Sequence, residues 1–162
     1  MKELLLYQFD TCFDSNGWFV AIRNAVARLN AEQAAWRAEG SDNTIWESLA
    51  HVNYYNNAYL QRFKGIEFQY DTDDNSETFA QSAASDEDWD AEVARFVTIM
   101  NEFRELLKGA DESKFDEPVP TNTSRKWWEI IADINAHNAY HGGQIVLLRK
   151  LQGAWNPHKG VS

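Results

Sequence analysis

A single cysteine among 162 residues, Cys12, excludes an internal disulfide framework and a cysteine-rich metal site. Prolines number only three, so long stretches carry no helix breaker. No apolar run approaches the roughly 18 to 20 residues that a membrane-spanning helix needs; the longest are short, such as 96–100 and 145–148. Near the N-terminus the only apolar stretch is Leu4 to Leu6, interrupted soon after by Gln8 and Asp10. No secretory signal is read there, and the cytoplasm is the expected location. Basic residues are also scarce, with 15 Lys and Arg against 25 Asp and Glu, a formal charge of −10. Phosphate backbones are bound mainly by neutralising them with basic side chains. Neither nucleic acid nor an anionic membrane is therefore an expected partner; a small-molecule substrate is. The chain has no glycine-rich phosphate loop, no His-Glu-x-x-His motif and no Glu-x-x-His of the di-iron bundles.

Apolar residues make up 44% of the chain and aromatics 14%, which excludes global disorder. A chain of this length buries roughly 70% of its unfolded surface, so residues 1–162 are expected to form one domain. Helical periodicity dominates. The first amphipathic stretch runs from about Lys2 to Asn30, with Leu5, Phe9, Cys12, Phe19, Ile22, Val26 and Leu29 on one face and Gly17 interrupting it. A second opens on Thr44-Ile45-Trp46-Glu47, which reads as a capping box, and continues through Leu49, Val52, Tyr59 and Phe63 to Gly65. The third begins after Ser85 and places Trp89, Val93, Phe96, Met100, Phe103 and Leu107 on its seam. A fourth begins near Thr123 or Ser124, carries Trp127, Ile130, Ile131, Ile134, Ile145 and Leu148, and ends by Gly153, with Pro157 preventing resumption. Only Lys114 to Val119 suggests a strand. The fold class is all-α, and four helices each with one apolar face predict a four-helix bundle. The long acidic linker over residues 65–84 is able to run the length of a helix. Helices two and three can then be parallel, joined by a crossover.

Chemistry concentrates in the histidines, of which there are four. His137 and His141 stand one helical turn apart on the fourth helix, and His51 flanks the seam of the second. Three neutral imidazoles would form a facial nitrogen set with open positions, suited to zinc, nickel or ferrous iron. The spacing alone is equally compatible with a surface His pair and a hydrogen-bonded core His. His158 reads as a solvated bystander. Helical geometry nominates Tyr55, Tyr54 and Ser48 beside His51, and Asp133 or Gln144 as orienting partners of the fourth-helix imidazoles. Tyr55 is the candidate catalytic donor, with aromatic packing as the alternative for both tyrosines. Glu47 is accounted for by its cap. Cys12 falls on the apolar stripe and reads as an inert core thiol.

The run Ile45-Trp46-Glu47-Ser48-Leu49-Ala50-His51-Val52 resembles the DinB-like superfamily of metalloenzymes, as does His137-Asn138-Ala139-Tyr140-His141-Gly142-Gly143-Gln144-Ile145. Helix order, the long second linker and the histidine placement agree over nearly the whole chain. One departure is Gly142, where many members carry Arg, which puts an anion-holding role there in doubt. The resemblance implies an up-down-down-up bundle in which His51, His137 and His141 ligate one divalent metal, nickel or zinc most often. It also implies a homodimer, an expectation that the seven tryptophans, Trp127-Trp128 among them, support. Related members are transferases that use bacillithiol, mycothiol or glutathione, or mycothiol-dependent isomerases; DNA binding is not implied.

The leading expectation is a metal-dependent transferase using a low-molecular-weight thiol such as bacillithiol. Arg62, Arg125 or Lys126 would supply a cationic niche for the thiol's carboxylates. The alternatives are a metal-dependent hydrolase with an activated water and a non-catalytic metal-binding stress protein.

Overall fold

A computed structural model describes residues 1–80, 85–120, 122–156 and 158. The fold is all-α apart from one short hairpin: four long helices, two short ones and two 3-10 turns. No helix among the described residues is long and apolar enough to cross a membrane.

The first amphipathic stretch is not one helix. It divides into α1 (Lys2–Phe13), α2 (Ile22–Ala25) and, beyond Asn30, α3 (Ala31–Ala35). The chain leaves the helical path at Asp14, whose φ is −141°. Asn16 then folds a loop around itself: its Oδ1 accepts from the Ala21 N–H at 3.0 Å and from Asn24 Nδ2 at 2.8 Å. Asparagine side chains compete with helical hydrogen bonding in this way. Periodicity nevertheless marked burial correctly at Ile22, Val26 and Leu29, all in the core. Phe19, expected on the same face, is exposed.

The second helix, α4 (Ile45–Phe63), starts where the capping box placed it. Thr44 Oγ1 accepts from the Glu47 N–H at 3.1 Å, and Glu47 Oε2 accepts from the Thr44 N–H at 2.7 Å. Such a cap is worth about 1 kcal/mol. Past α4, Gly65 adopts the left-handed region, φ 80°, that ends a helix without steric cost. The crossover does not run free: a 3-10 turn, Asn75–Phe79, lies against α4. Tyr54 donates to Asp71 at 2.6 Å, and Arg62 donates to the Tyr70 hydroxyl at 2.8 Å. The last part of the 65–84 linker, residues 81–84, lies outside the described residues.

The third long helix, α5 (Asp86–Gly109), is capped by Ser85 as expected, and Asp88 completes a capping box by accepting from the Ser85 N–H. The fourth, α6 (Trp127–Leu151), begins later than Thr123 or Ser124. Residues 122–126 instead form β2, paired antiparallel with β1 (Pro118–Val119), and Trp127 N–H donates to Glu117 O at 3.1 Å. Of the suspected strand at 114–119 only the last two residues pair as a strand; Glu112–Asp116 is a 3-10 turn. Pro157 lies outside the described residues.

The long helices meet pairwise, α4 against α5 and α6, and α1 against the same two. Aromatic edges fill the seams: Phe9 with Phe103 and Phe13 with Phe96, each at 5.7 Å, Trp46 with Trp89 at 5.3 Å, and Phe63 with Trp127 at 4.9 Å. Each such pair adds about 1 kcal/mol to the area it buries. Between α4 and α6, Asn56 and Asn138 exchange amide hydrogen bonds at 3.0 and 3.1 Å, both fully buried. A buried reciprocal pair is satisfied in only one alignment of the two helices, so it fixes their register beside the histidines.

Candidate metal centre

His51 projects from the second turn of α4, and His137 and His141 project from one face of α6. Because the Asn56–Asn138 pair sets the register, the three rings converge, with centroids 5.0 Å (51–137), 4.7 Å (51–141) and 4.5 Å (137–141) apart. One nitrogen from each lies within 4.8 Å of the others. These three residues are positioned to bind a metal ion. His51 and His141 are buried and His137 half-buried, which the sequence spacing could not decide.

The tautomer of His51 follows from its partner. Thr78 Oγ1 sits 2.6 Å from Nδ1 of His51 and donates its own proton to Asn75 O at 2.7 Å. Its oxygen must therefore accept from Nδ1–H, which leaves the Nε2 lone pair of His51 facing the other rings. That Nε2 lies 3.0 Å from Nε2 of His137. Phe79 stacks on the His51 ring at 3.9 Å and 10°, holding its plane.

Burial pushes the His51 pKa down from its ordinary value to about 3, with His141 and His137 contributing next. It lowers His141 to about 4, helped by His137, and lowers His137 as well. All three are neutral near pH 7, the state in which imidazole donates to a metal. Nδ1 of His141 is buried with no hydrogen-bond partner among the described residues, although Gln144 lies close enough to raise its basicity slightly. Three neutral nitrogens with no carboxylate among them suit a borderline ion such as zinc, nickel or ferrous iron, and not calcium or magnesium. The donor set fits a divalent transition metal.

The family model of the DinB superfamily matches residues 20–145, a span that contains all three histidines. The chain belongs to the DinB superfamily. Neither the curated proteins nor the solved structures contain a significant match to it.

In this DinB protein the histidines open onto a cavity of about 570 Å³, whose wall includes Tyr55, Tyr59, Arg125 and Asp133. The Tyr55 ring lies 5.0 Å from His51 and 5.7 Å from His137, and its hydroxyl donates to Asn75 Oδ1 at 2.9 Å. Burial, then Tyr70, raises its pKa, so the phenol stays protonated. Tyr54 is turned to Asp71 and does not line the cavity. Ser48 donates to Thr44 O within its own helix.

The expected orienting residues are otherwise engaged. Asp133 pairs with Arg125 at 2.7 Å, and Gln144 donates to the Tyr140 hydroxyl at 3.0 Å. Thr78 takes the orienting role, and Asn75 and Phe79 come with it on the 3-10 turn. Of the proposed cations, Arg62 is buried against Tyr70, and Lys126 pairs with Asp116 at 2.9 Å. Only Arg125 of these lines the cavity. A Cβ at Gly142 would come 3.3 Å from Ile22, so this position faces α2 and not the cavity. A larger side chain at position 142 would have to displace Ile22. Cys12 donates to Asn135 O at 3.1 Å, and burial pushes its pKa up to about 11. His158 is exposed beyond the end of α6 and does not line the cavity; its backbone N–H donates to Asn156 Oδ1 at 3.0 Å.

Proposed function

We propose that this DinB protein is a metal-dependent transferase that acts with a low-molecular-weight thiol. The observation that carries the reading is the opening of three neutral, convergent imidazoles into a cavity wide enough for an organic ligand. Held by His51, His137 and His141, a divalent ion would supply Lewis acidity that favours the thiolate form of a thiol at neutral pH. The chain's own residues do the rest. Thr78 and Phe79 hold His51 in the donor tautomer and plane. Tyr55, protonated and on the cavity wall, would donate to charge developing on the electrophile by turning its hydroxyl away from Asn75 Oδ1. Arg125, braced by Asp133, offers a guanidinium to a carboxylate of the thiol cofactor.

The alternative, hydrolysis by an activated water, wants a general base. No carboxylate stands among the clustered metal-binding residues, and of the two on the cavity wall Asp133 is committed to Arg125, which leaves Asp42 as the candidate base. The same contacts support one domain folded as an up-down-down-up bundle. Trp46 meets Trp89 near the starts of α4 and α5, and Phe63 meets Phe103 near their ends, the sign of parallel helices. His51 meets His141 while Phe63 meets Trp127, the sign of antiparallel ones. A homodimer is supported by exposed apolar side chains, Leu4 and Tyr7 on α1 and Trp18 beyond it, the last 96% exposed.

The test sets bacillithiol, mycothiol and glutathione with an electrophile panel against esters and amides offered without thiol. The reading expects turnover that requires both metal and thiol. Ester or amide turnover without thiol replaces it with the hydrolase, and no turnover in either panel with metal bound leaves a metal-binding protein without catalysis.

A further inference from the structure

A second cavity, of about 380 Å³, shares no residue with the histidine cavity. Asn16, Asn24, Arg28, Arg149, Trp155 and Asn156 line it, and no acidic side chain among the described residues does. On a chain of net charge −10, two guanidinium groups around one acid-free hollow are out of keeping with the rest of the surface.

Arg149 is buried, and its donors reach only carbonyls: Nη1 to Ala25 O at 2.6 Å and Ala27 O at 3.1 Å, Nε and Nη2 to Ala154 O at 3.2 and 2.9 Å. These bonds fasten α2 and the tail to α6, and they explain the position of the side chain. They leave its charge without a carboxylate among the described residues in a desolvated place, and burial lowers its pKa accordingly. Arg28 has no ion pair among the described residues, and it sits in the left-handed region at φ 63°, which is unfavourable for an L side chain. Strain of this kind gathers at ligand clamps. The Trp155 indole N–H is buried with no acceptor among the described residues, although the ring lies under Arg149 at 5.3 Å. Asn16 uses its carbonyl for Ala21 and Asn24, so its amide N–H groups remain. The wall therefore combines positive charge with unpaired donors and carries no carboxylate among the described residues.

We propose that this cavity binds a small oxyanion, a carboxylate or phosphate group, between Arg28 and the Trp155 indole N–H and over the charge of Arg149. Guanidinium forks match both oxyanions. The site is separate from the metal centre and does not depend on the reading of that centre.

The test follows the Trp155 indole N–H resonance in the ¹⁵N-labelled full chain, identified by its loss in Trp155→Phe. Inorganic phosphate and acetate are titrated separately, with sodium chloride at matched ionic strength as reference. The proposal expects a saturable shift with phosphate, with acetate or with both, and none of that form with chloride. Which oxyanion saturates identifies the ligand class. In Arg28→Gln the affinity should fall about tenfold. Arg28→Gly, which suits the positive φ, should fall equally and shows that backbone strain is not the cause. Phosphate captured at the histidines would leave this resonance in place. No saturable shift with either oxyanion, a shift equal to that of chloride, or unchanged affinity in both Arg28 variants overturns the proposal.

Discussion

Replacing Thr78 with valine keeps the shape of the side chain and removes only its hydroxyl. In the native protein that oxygen accepts the His51 Nδ1–H at 2.6 Å, in a position where both residues are buried. Without it the Nδ1–H has no acceptor, and leaving a buried donor unpaired costs about 1–3 kcal/mol. The alternative tautomer escapes that cost by moving the proton to Nε2, the nitrogen 3.0 Å from His137, and so removes a metal donor. Either route weakens metal binding by about 10- to 100-fold, the usual effect of losing a partner behind a ligating histidine. The two magnitudes agree, since each tenfold is about 1.4 kcal/mol. The assay is competition for zinc and for nickel between the metal-free protein and a chromogenic chelator. Thr78→Ser, which restores the hydroxyl, should return most of the affinity, and histidine ¹⁵N shifts should show the native His51 tautomer in the serine variant. Wild-type affinity in Thr78→Val would refute the orienting role of this bond.

Metal-free protein should lose stability on acidification. The folded-state pKa values of His51 and His141, about 3 and about 4, lie below the unfolded value near 6.5, so the unfolded chain binds more protons between these limits. Their contribution is complete above about pH 6.5 and falls away below it; thermal melts in chelator from pH 8 to pH 5 should show a flat region and then a decline, and a rise on acidification contradicts the assignment. Glu112 and Asp74, whose pKa values are lowered from ordinary carboxylate values, act only at still lower pH. Gly143→Ala should stabilise α6 by about 1 kcal/mol, because its Cβ would meet nothing within 4 Å. Gly142→Ala should gain less, since its Cβ would stand 3.3 Å from Ile22 Cγ1; equal denaturation midpoints for the two variants would contradict the contact.

What the sequence made legible was mostly local. The Thr44/Glu47 capping box and the Ser85 cap are each set within four residues of chain, and both formed where expected. Helical spacing brought His137 and His141 together, because one turn is a fixed distance. Gly17 marked an interruption within the first stretch, but the full extent of the break after Phe13 depends on the Asn16 loop, which apolar rhythm does not register. The late start of α6 depends on pairing with β1, a contact between segments that periodicity does not register. Thr78, Asn75 and Phe79 were missed for a related reason. They lie on a polar crossover with no periodic signal, and they reach the site only because the crossover folds back on α4. The meeting of α4 with α6 came through the resemblance, and its physical expression is the Asn56–Asn138 pair.

The measurement that bears most directly on the metal centre is metal analysis of protein purified without a histidine tag, alongside His137→Ala. Convergence of the three imidazoles predicts about one equivalent of a divalent transition metal in the wild type and loss of most of it in the variant. A variant that keeps its full equivalent, or a wild type that binds none when zinc and nickel are offered, would contradict the account.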